Sequence, residues 1–310
     1  MHYINPLLDH PQNHCEFGQH GWQNEDVNIL TAVANYTRAV MDGGGDIPLR
    51  FLVHFMGDLH QPLHLTGREK GGNGAVFKFE GHTRNLHSVW DSGIITKNIR
   101  ELSNYTSPLP SKQIESALLG AIFDPYVRFI VWEGIRKWWI DDLSDWLSCP
   151  SAGDPYPHSS ITDIPASSPA IMHTIQSASS LVMALLPPTW STFLSLTLPI
   201  PLSETDNFQR QAISSTPQAL AAREENFTFP ACPYTWAAPT HGINCGVAWP
   251  VEYTGIHDDP LIELDTDNYL GRIGREKTVE KLLAMAGLRL AKVINEALGY
   301  SGEESLLMSY

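Results

Sequence analysis

Two histidine and aspartate pairs stand four residues apart in this chain. His54 and Asp58 lie in His54-Phe-Met-Gly-Asp58-Leu-His60-Gln-Pro-Leu-His64, and His87 and Asp91 in Asn85-Leu-His87-Ser-Val-Trp-Asp91. On an α-helix that spacing places both side chains on one face, within reach of a common ion. Imidazole and carboxylate together suit zinc better than calcium or magnesium, which favour oxygen-only shells. One such pair alone is more often a surface helix contact. Two of them, with His64 following a helix-ending Pro62, point to a zinc site. His60 is two residues from Asp58, on another helix face, and reads as a core histidine or one that supports the ligands.

The elements that must carry these residues follow from periodicity. Asp26 to Met41 has apolar residues at Val27, Leu30, Val33 and Ala34, a helical period ended by Asp42-Gly-Gly-Gly. A second helix is expected from about Pro48 until Gln61-Pro62 stops it, carrying His54 and Asp58. Ala75 to Glu80 alternates as a short strand would, closed by Gly81, and Asn85 to Asp91 opens another helix. Ser111 to Leu147 is again helical, broken or kinked at Pro125, with Trp138 and Trp139 read as packing residues. A closing helix is expected from about Asn268 to Leu298, with Leu282, Leu283, Ala286, Leu290 and Val293 as its apolar stripe.

The 310 residues are 43% hydrophobic, enough for one sizeable core or two small ones. A net charge of -14 disfavours nucleic-acid binding through Lys and Arg alone, since that binding is mostly phosphate neutralisation. A metal cluster supplies concentrated positive charge and reverses the argument. Cys15, Cys149, Cys232 and Cys245 lack CxxC spacing, and their even number fits two disulfides in an oxidising compartment. Sequons at Asn35, Asn104 and Asn226 point the same way. From Ser148 to Pro230 the composition shifts to Ser, Pro and Thr. There, Leu181 to Pro201 is apolar but divided by prolines into runs too short to span a bilayer. Residues 148–233 therefore read as an insertion, partly disordered, and no membrane association is expected. The histidines at 10, 14 and 20 read as surface residues, and those at 82, 158, 173, 241 and 257 take no role.

The two motifs, with Gly71-Gly-Asn73 between them, resemble the secreted zinc nucleases of the nuclease S1/nuclease P1 family, in the same order along the chain. His2-Tyr-Ile-Asn5, Asn35-Tyr-Thr and Ala284 to Leu298 extend the likeness. The resemblance implies a mostly α-helical single domain of the phospholipase C/zinc nuclease type with a short β-hairpin, made of residues 1–147 and 234–310. It also implies hydrolysis of single-stranded DNA and RNA to 5′-phosphates, by a secreted monomer holding up to three zinc ions. The alternatives are a zinc phospholipase C-like hydrolase, or a secreted zinc-binding protein without catalysis.

Carried over residue by residue, the resemblance implies one zinc held by His2, His54 and Asp58, with Asp58 bridging to a further ion as the catalytic carboxylate. It implies a second zinc held by His64, His87 and Asp91. Three protein ligands and an open position mark catalytic zinc. Tyr3 takes the place of a base-stacking Phe, Asn5 that of a base-binding Asp, and Asn73 that of a substrate contact. Exchanging Asp for Asn adds a donor, so the resemblance does not fix the base preference. Cys15 and Cys245 resemble a family disulfide, leaving Cys149 and Cys232 to pair. The family's terminal Trp, a following His and a ligand Asp have no counterpart ahead of His2, and no secretory signal is visible at Met1. An N-terminally shortened chain with fewer than three zinc ions is the expectation.

Overall fold

The computed structural model describes residues 2–11, 14–25, 27–109, 111–149, 229–255 and 260–299. The expected insertion falls mostly outside these residues, as do Asn226, His158, His173 and His257. The described part is mostly helical with one hairpin, in agreement with the expected class. Helix α1 spans Ile29–Met41 and α2 spans Asp46–Asp58. Asn28, not Asp26, starts α1. Its side chain accepts from the Leu30 and Thr31 amides while Thr31 Oγ1 accepts from the Asn28 amide, a reciprocal cap. Helix α2 begins two residues before Pro48 and ends at Asp58, short of the expected stop at Pro62, which instead opens a 3₁₀ turn, Pro62–Leu65.

Strand β1 (Val76–Phe79) pairs antiparallel with β2 (His82–Asn85), Phe79 opposite His82. The alternation resolves as expected, with Phe77 and Phe79 buried. Asn85 caps α3 (Leu86–Ser88), which continues through a π-helical stretch, Val89–Gly93, into α4 (Ile94–Glu101). Between 111 and 147 the chain forms α5 (Lys112–Leu118), α6 (Asp124–Phe129), a π-helical stretch Ile130–Trp138 and α7 (Leu143–Leu147). The break comes before Pro125, around Gly120 at φ 81°, and Pro125 takes a first-turn position where its missing N–H costs nothing. Trp139 is buried as expected, whereas Trp138 is 44% exposed under the Lys277 ammonium.

Helix α8 runs Pro233–Ile243, and the expected closing helix is two: α9 (Leu270–Arg275) and α10 (Thr278–Ala297), separated at Lys277, whose backbone is left-handed at φ 53°. Leu283 departs from the apolar stripe and is partly exposed, while Glu280 and Arg289 are buried. Two apolar clusters result. One gathers Ile4, Leu30, Leu52, Met56 and Trp236; the other gathers Phe77, Trp90, Trp249, Tyr269 and Met285. Leu63 belongs to the second and Leu65 to the first, so the residue between them, His64, lies on the seam. The Asn244 amide, itself buried, donates to the Pro62 carbonyl at 2.8 Å and fixes this turn.

His60 is buried beneath α2. Its Nδ1–H donates to the Met56 carbonyl and its Nε2 accepts from Arg289 Nη1, both at 2.8 Å, which sets the neutral tautomer. Burial, reinforced by the Arg289 charge and opposed by the Met56 carbonyl, pushes its pKa down to about 3. The unfolded chain protonates this imidazole near pH 6.5 and the folded chain holds off to about 3. Between those values the unfolded state binds more protons, so stability is full above the upper one and falls as pH drops through the window. The expected slope is about 1.4 kcal/mol per pH unit for this group alone. Urea unfolding between pH 7 and 4 checks it: the His60→Gln variant, lacking the titration, should show the shallower pH dependence.

Candidate metal centre

The end of α2, the 3₁₀ turn, the start of α3 and the chain entering from His2 converge on one place. The Ile4 amide donates to the His64 carbonyl at 2.8 Å, which lays the first residues along the turn and brings His2 edge-on to the His64 ring at 5.2 Å. His64 is buried between two carboxylates. Its Nδ1 lies 3.5 Å from Asp58 Oδ1 and its Nε2 lies 3.4 Å from Asp91 Oδ1. His87 stacks on it at 4.9 Å, with Nε2 3.2 Å from Asp91 Oδ2. His2 Nδ1 and His54 Nε2 approach Asp58 Oδ2 at 3.8 and 3.1 Å.

At this place the described residues form two groups of three donors, His2/Asp58/His64 and His64/His87/Asp91. The second is the set expected from the sequence. In the first, His64 stands in the place expected for His54; His54 touches the edge of Asp58 and is largely exposed. Both ring nitrogens of His64 and Oδ2 of Asp58 are buried without a hydrogen-bond partner. Unpartnered buried polar atoms are costly, and donors this close are spaced like the edges of a tetrahedron with bonds of about 2.0–2.1 Å. These residues fit zinc.

Their electrostatics suit a cation. Burial lifts the Asp58 carboxyl above its usual range, while the His64, His54 and His2 imidazoles pull it back. Burial alone would also raise Asp91, yet the facing His64 and His87 rings and the Gln61 amide hold it well below the carboxylate range. The His87 Nδ1–H donates to the Gly71 carbonyl at 2.6 Å, turning Nε2 toward Asp91. Fixing a ligand's tautomer through its other nitrogen is a common device at metal sites. Gly71 must be glycine for this. It sits at φ 64°, and a Cβ would come within 2.7 Å of the Leu63 carbonyl oxygen.

Gln61, which the motif spacing does not single out, joins the two motifs. Its Oε1 accepts from the Leu63 amide and its Nε2 donates to Asp91 Oδ1, both at 2.6 Å. The sequence does hold a signal for it, a side-chain acceptor directly before a proline that starts a turn. Gln61→Ala is expected to weaken zinc binding by about 10- to 100-fold through loss of Asp91 orientation. Competition titration against a chelator measures this, and unchanged affinity would mean that Asp91 keeps its orientation without Gln61.

The remaining candidate residues are placed as follows. Tyr3 is 43% exposed beside His2. Asn5 is half-buried, its backbone amide bound to Asn24 and its side chain facing Gly67. Asn73 is exposed, and its amide donates to the Lys70 carbonyl. Asn35 and Asn104 are exposed. Cys15 is joined to Cys245 and Cys149 to Cys232. His14 and His20 pair with Glu16 at the surface, whereas His241, given no role, is buried 3.1 Å from Asp9. That pairing spans most of the chain, so no local spacing announces it.

Residues 1–129 match the S1/P1 nuclease family model, a span holding every residue of both donor groups. Over this stretch the chain is similar to the S1/P1 nucleases. It is 29% identical to Endonuclease 1 of Arabidopsis thaliana over 166 residues, covering 48% of this chain and 47% of that protein. It is 41% identical to Nuclease S1 of Aspergillus oryzae over 69 residues, 21% of this chain and 24% of that one. With Nuclease P1 of Penicillium citrinum it shares 37% over 97 residues, 30% and 36% respectively. The chain thus spans less than half the length of these relatives. Among its described residues no helix is long and apolar enough to cross a membrane.

Proposed function

We propose that this chain is a secreted, glycosylated zinc-dependent endonuclease that hydrolyses phosphodiester bonds of single-stranded DNA and RNA, leaving 5′-phosphates, and acts as a monomer. One observation carries the reading: a buried imidazole with both nitrogens unpartnered, held between two carboxylates inside an S1/P1 nuclease domain. His64, His87 and Asp91 would hold one zinc; His2, Asp58 and His64, with His54 alongside, would hold another. When bound, zinc makes a water-derived nucleophile available near neutral pH and neutralises phosphate charge. Asp58 faces His64, which the two groups share, together with His2 and His54, and is the carboxylate suited to bridging ions. Gln61 and the Gly71 carbonyl orient Asp91 and His87, and Tyr3 offers an exposed ring on which an unpaired base can stack. Asn5 and Asn73 would contact the nucleotide through their carboxamides. The domain comprises 1–147 and 234–310, with 148–233 inserted.

Comparing substrates tests this. The zinc-loaded chain is incubated with single-stranded DNA, RNA, duplex DNA and phosphatidylcholine vesicles, and product ends are read by mass spectrometry. Cleavage of both single-stranded polymers to 5′-phosphate ends supports the proposal. Release of phosphorylcholine alone would assign a phospholipase C-like hydrolase, and zinc binding without turnover on any substrate would assign a non-catalytic role.

A further inference from the structure

A cavity of about 520 Å³ opens between α7, α8 and α10, walled by other residues than those of the metal centre. Helix α10 presents Lys281, Leu282, Met285 and Arg289 to it, at spacings that keep them on one helical face. Trp146 of α7 and Trp236 of α8 form the facing walls. Arg289 is buried, and its guanidinium lies 5.5 Å from the Trp236 ring centre. Its Nε donates to the Trp146 carbonyl at 2.8 Å, and its Nη1 to His60 at 2.8 Å and to the Trp236 carbonyl at 3.4 Å. Among the described residues no carboxylate pairs with it, and Nη2 has no acceptor. Buried charges are ordinarily paired, so this cation is under-compensated.

The Lys281 ammonium sits 5.3 Å from the Trp146 ring centre and likewise has no carboxylate partner among the described residues. Two acidic groups also border the cavity: Glu276, occupied by Arg272 at 2.9 Å, and Asp145, which is exposed. Two unpaired cations and two indole walls together select a ligand that is anionic at one end and flat and apolar at the other. The volume lies within the range of small-molecule sites.

We propose that this cavity is a binding site for an aromatic phosphate or phosphonate, with the anion on Arg289 and Lys281 and the ring against Trp146 and Trp236. It stands apart from the nuclease reading and needs no zinc. Phenylphosphonate, which has no ester bond to cleave, is the probe. Calorimetric titration of the full chain should show one site. Lys281→Glu should weaken binding by about tenfold or more, the scale of removing one charge-assisted hydrogen bond. Met285→Trp should fill the cavity and remove binding with thermal stability retained, and Arg289→Lys should bind more weakly than the parent. Asp91→Ala should leave the affinity unchanged. Absence of binding, binding insensitive to Lys281→Glu and Met285→Trp, or binding lost in Asp91→Ala would overturn the proposal. Inorganic phosphate binding as tightly as phenylphosphonate would overturn the aromatic half of the site.

Discussion

His64→Ala is expected to release metal from both donor groups and to lower nuclease turnover by more than about a hundredfold. The floor comes from residues that merely orient ligands, whose loss already costs about 10- to 100-fold. His64 is the one residue common to both groups, facing Asp58 with one nitrogen and Asp91 with the other. Removing it takes a donor from each group and leaves Asp58 and Asp91 facing each other across an emptied position. His54→Ala should do less, because His54 lies outside both three-donor groups. Zinc content by elemental analysis and single-stranded DNA hydrolysis, measured on both variants, check the ranking. A His54→Ala variant that loses more zinc than His64→Ala would reverse it.

Cutting the Cys15 to Cys245 disulfide, by replacing both residues with serine, is expected to destabilise the fold by about 5 kcal/mol in the chain-entropy model. The bond closes a loop across a sequence separation of 230, so its loss frees much conformational entropy in the unfolded chain. In a protein of this size that lowers the melting temperature by roughly 10–20 °C. The bond also pins the segment that begins at His2. Phe17 stacks on His241 at 4.8 Å beside the cystine, and the Leu7 amide bonds the Gly21 carbonyl in the same stretch. Weakened zinc binding should accompany the lower melting temperature. A shift under about 2 °C would mean that packing, not the cross-link, holds this segment.

The residues gathered at the candidate metal centre are legible in the sequence because local rules govern them. His54 to Asp58 and His87 to Asp91 are helix-face pairs whose geometry follows from spacing, and the second survives even where the helix is π-wound. The closing of β1 at Gly81 and the burial of Phe77 and Phe79 are equally local. What the sequence does not show is decided elsewhere in the molecule. The sharing of His64 between two carboxylates depends on a turn fixed by Asn244, far along the chain. The split of the closing helix rests on a left-handed Lys277, a residue with no propensity for that conformation, whose ammonium reaches the exposed Trp138. His241 and Arg289 are buried by partners that no periodicity connects to them. Helix limits move by a few residues wherever a cap, such as Asn28, outweighs the apolar pattern.

Zinc-dependent turnover by the purified chain is the decisive measurement. The protein is stripped with a chelator, assayed on single-stranded DNA, then titrated with zinc while bound metal and product are followed together. A zinc nuclease should show no cleavage by the stripped chain, recovery that rises with bound zinc, and product ending in 5′-phosphate. Undiminished cleavage by the stripped chain, or full zinc loading of an intact fold with no cleavage of DNA or RNA, would contradict it.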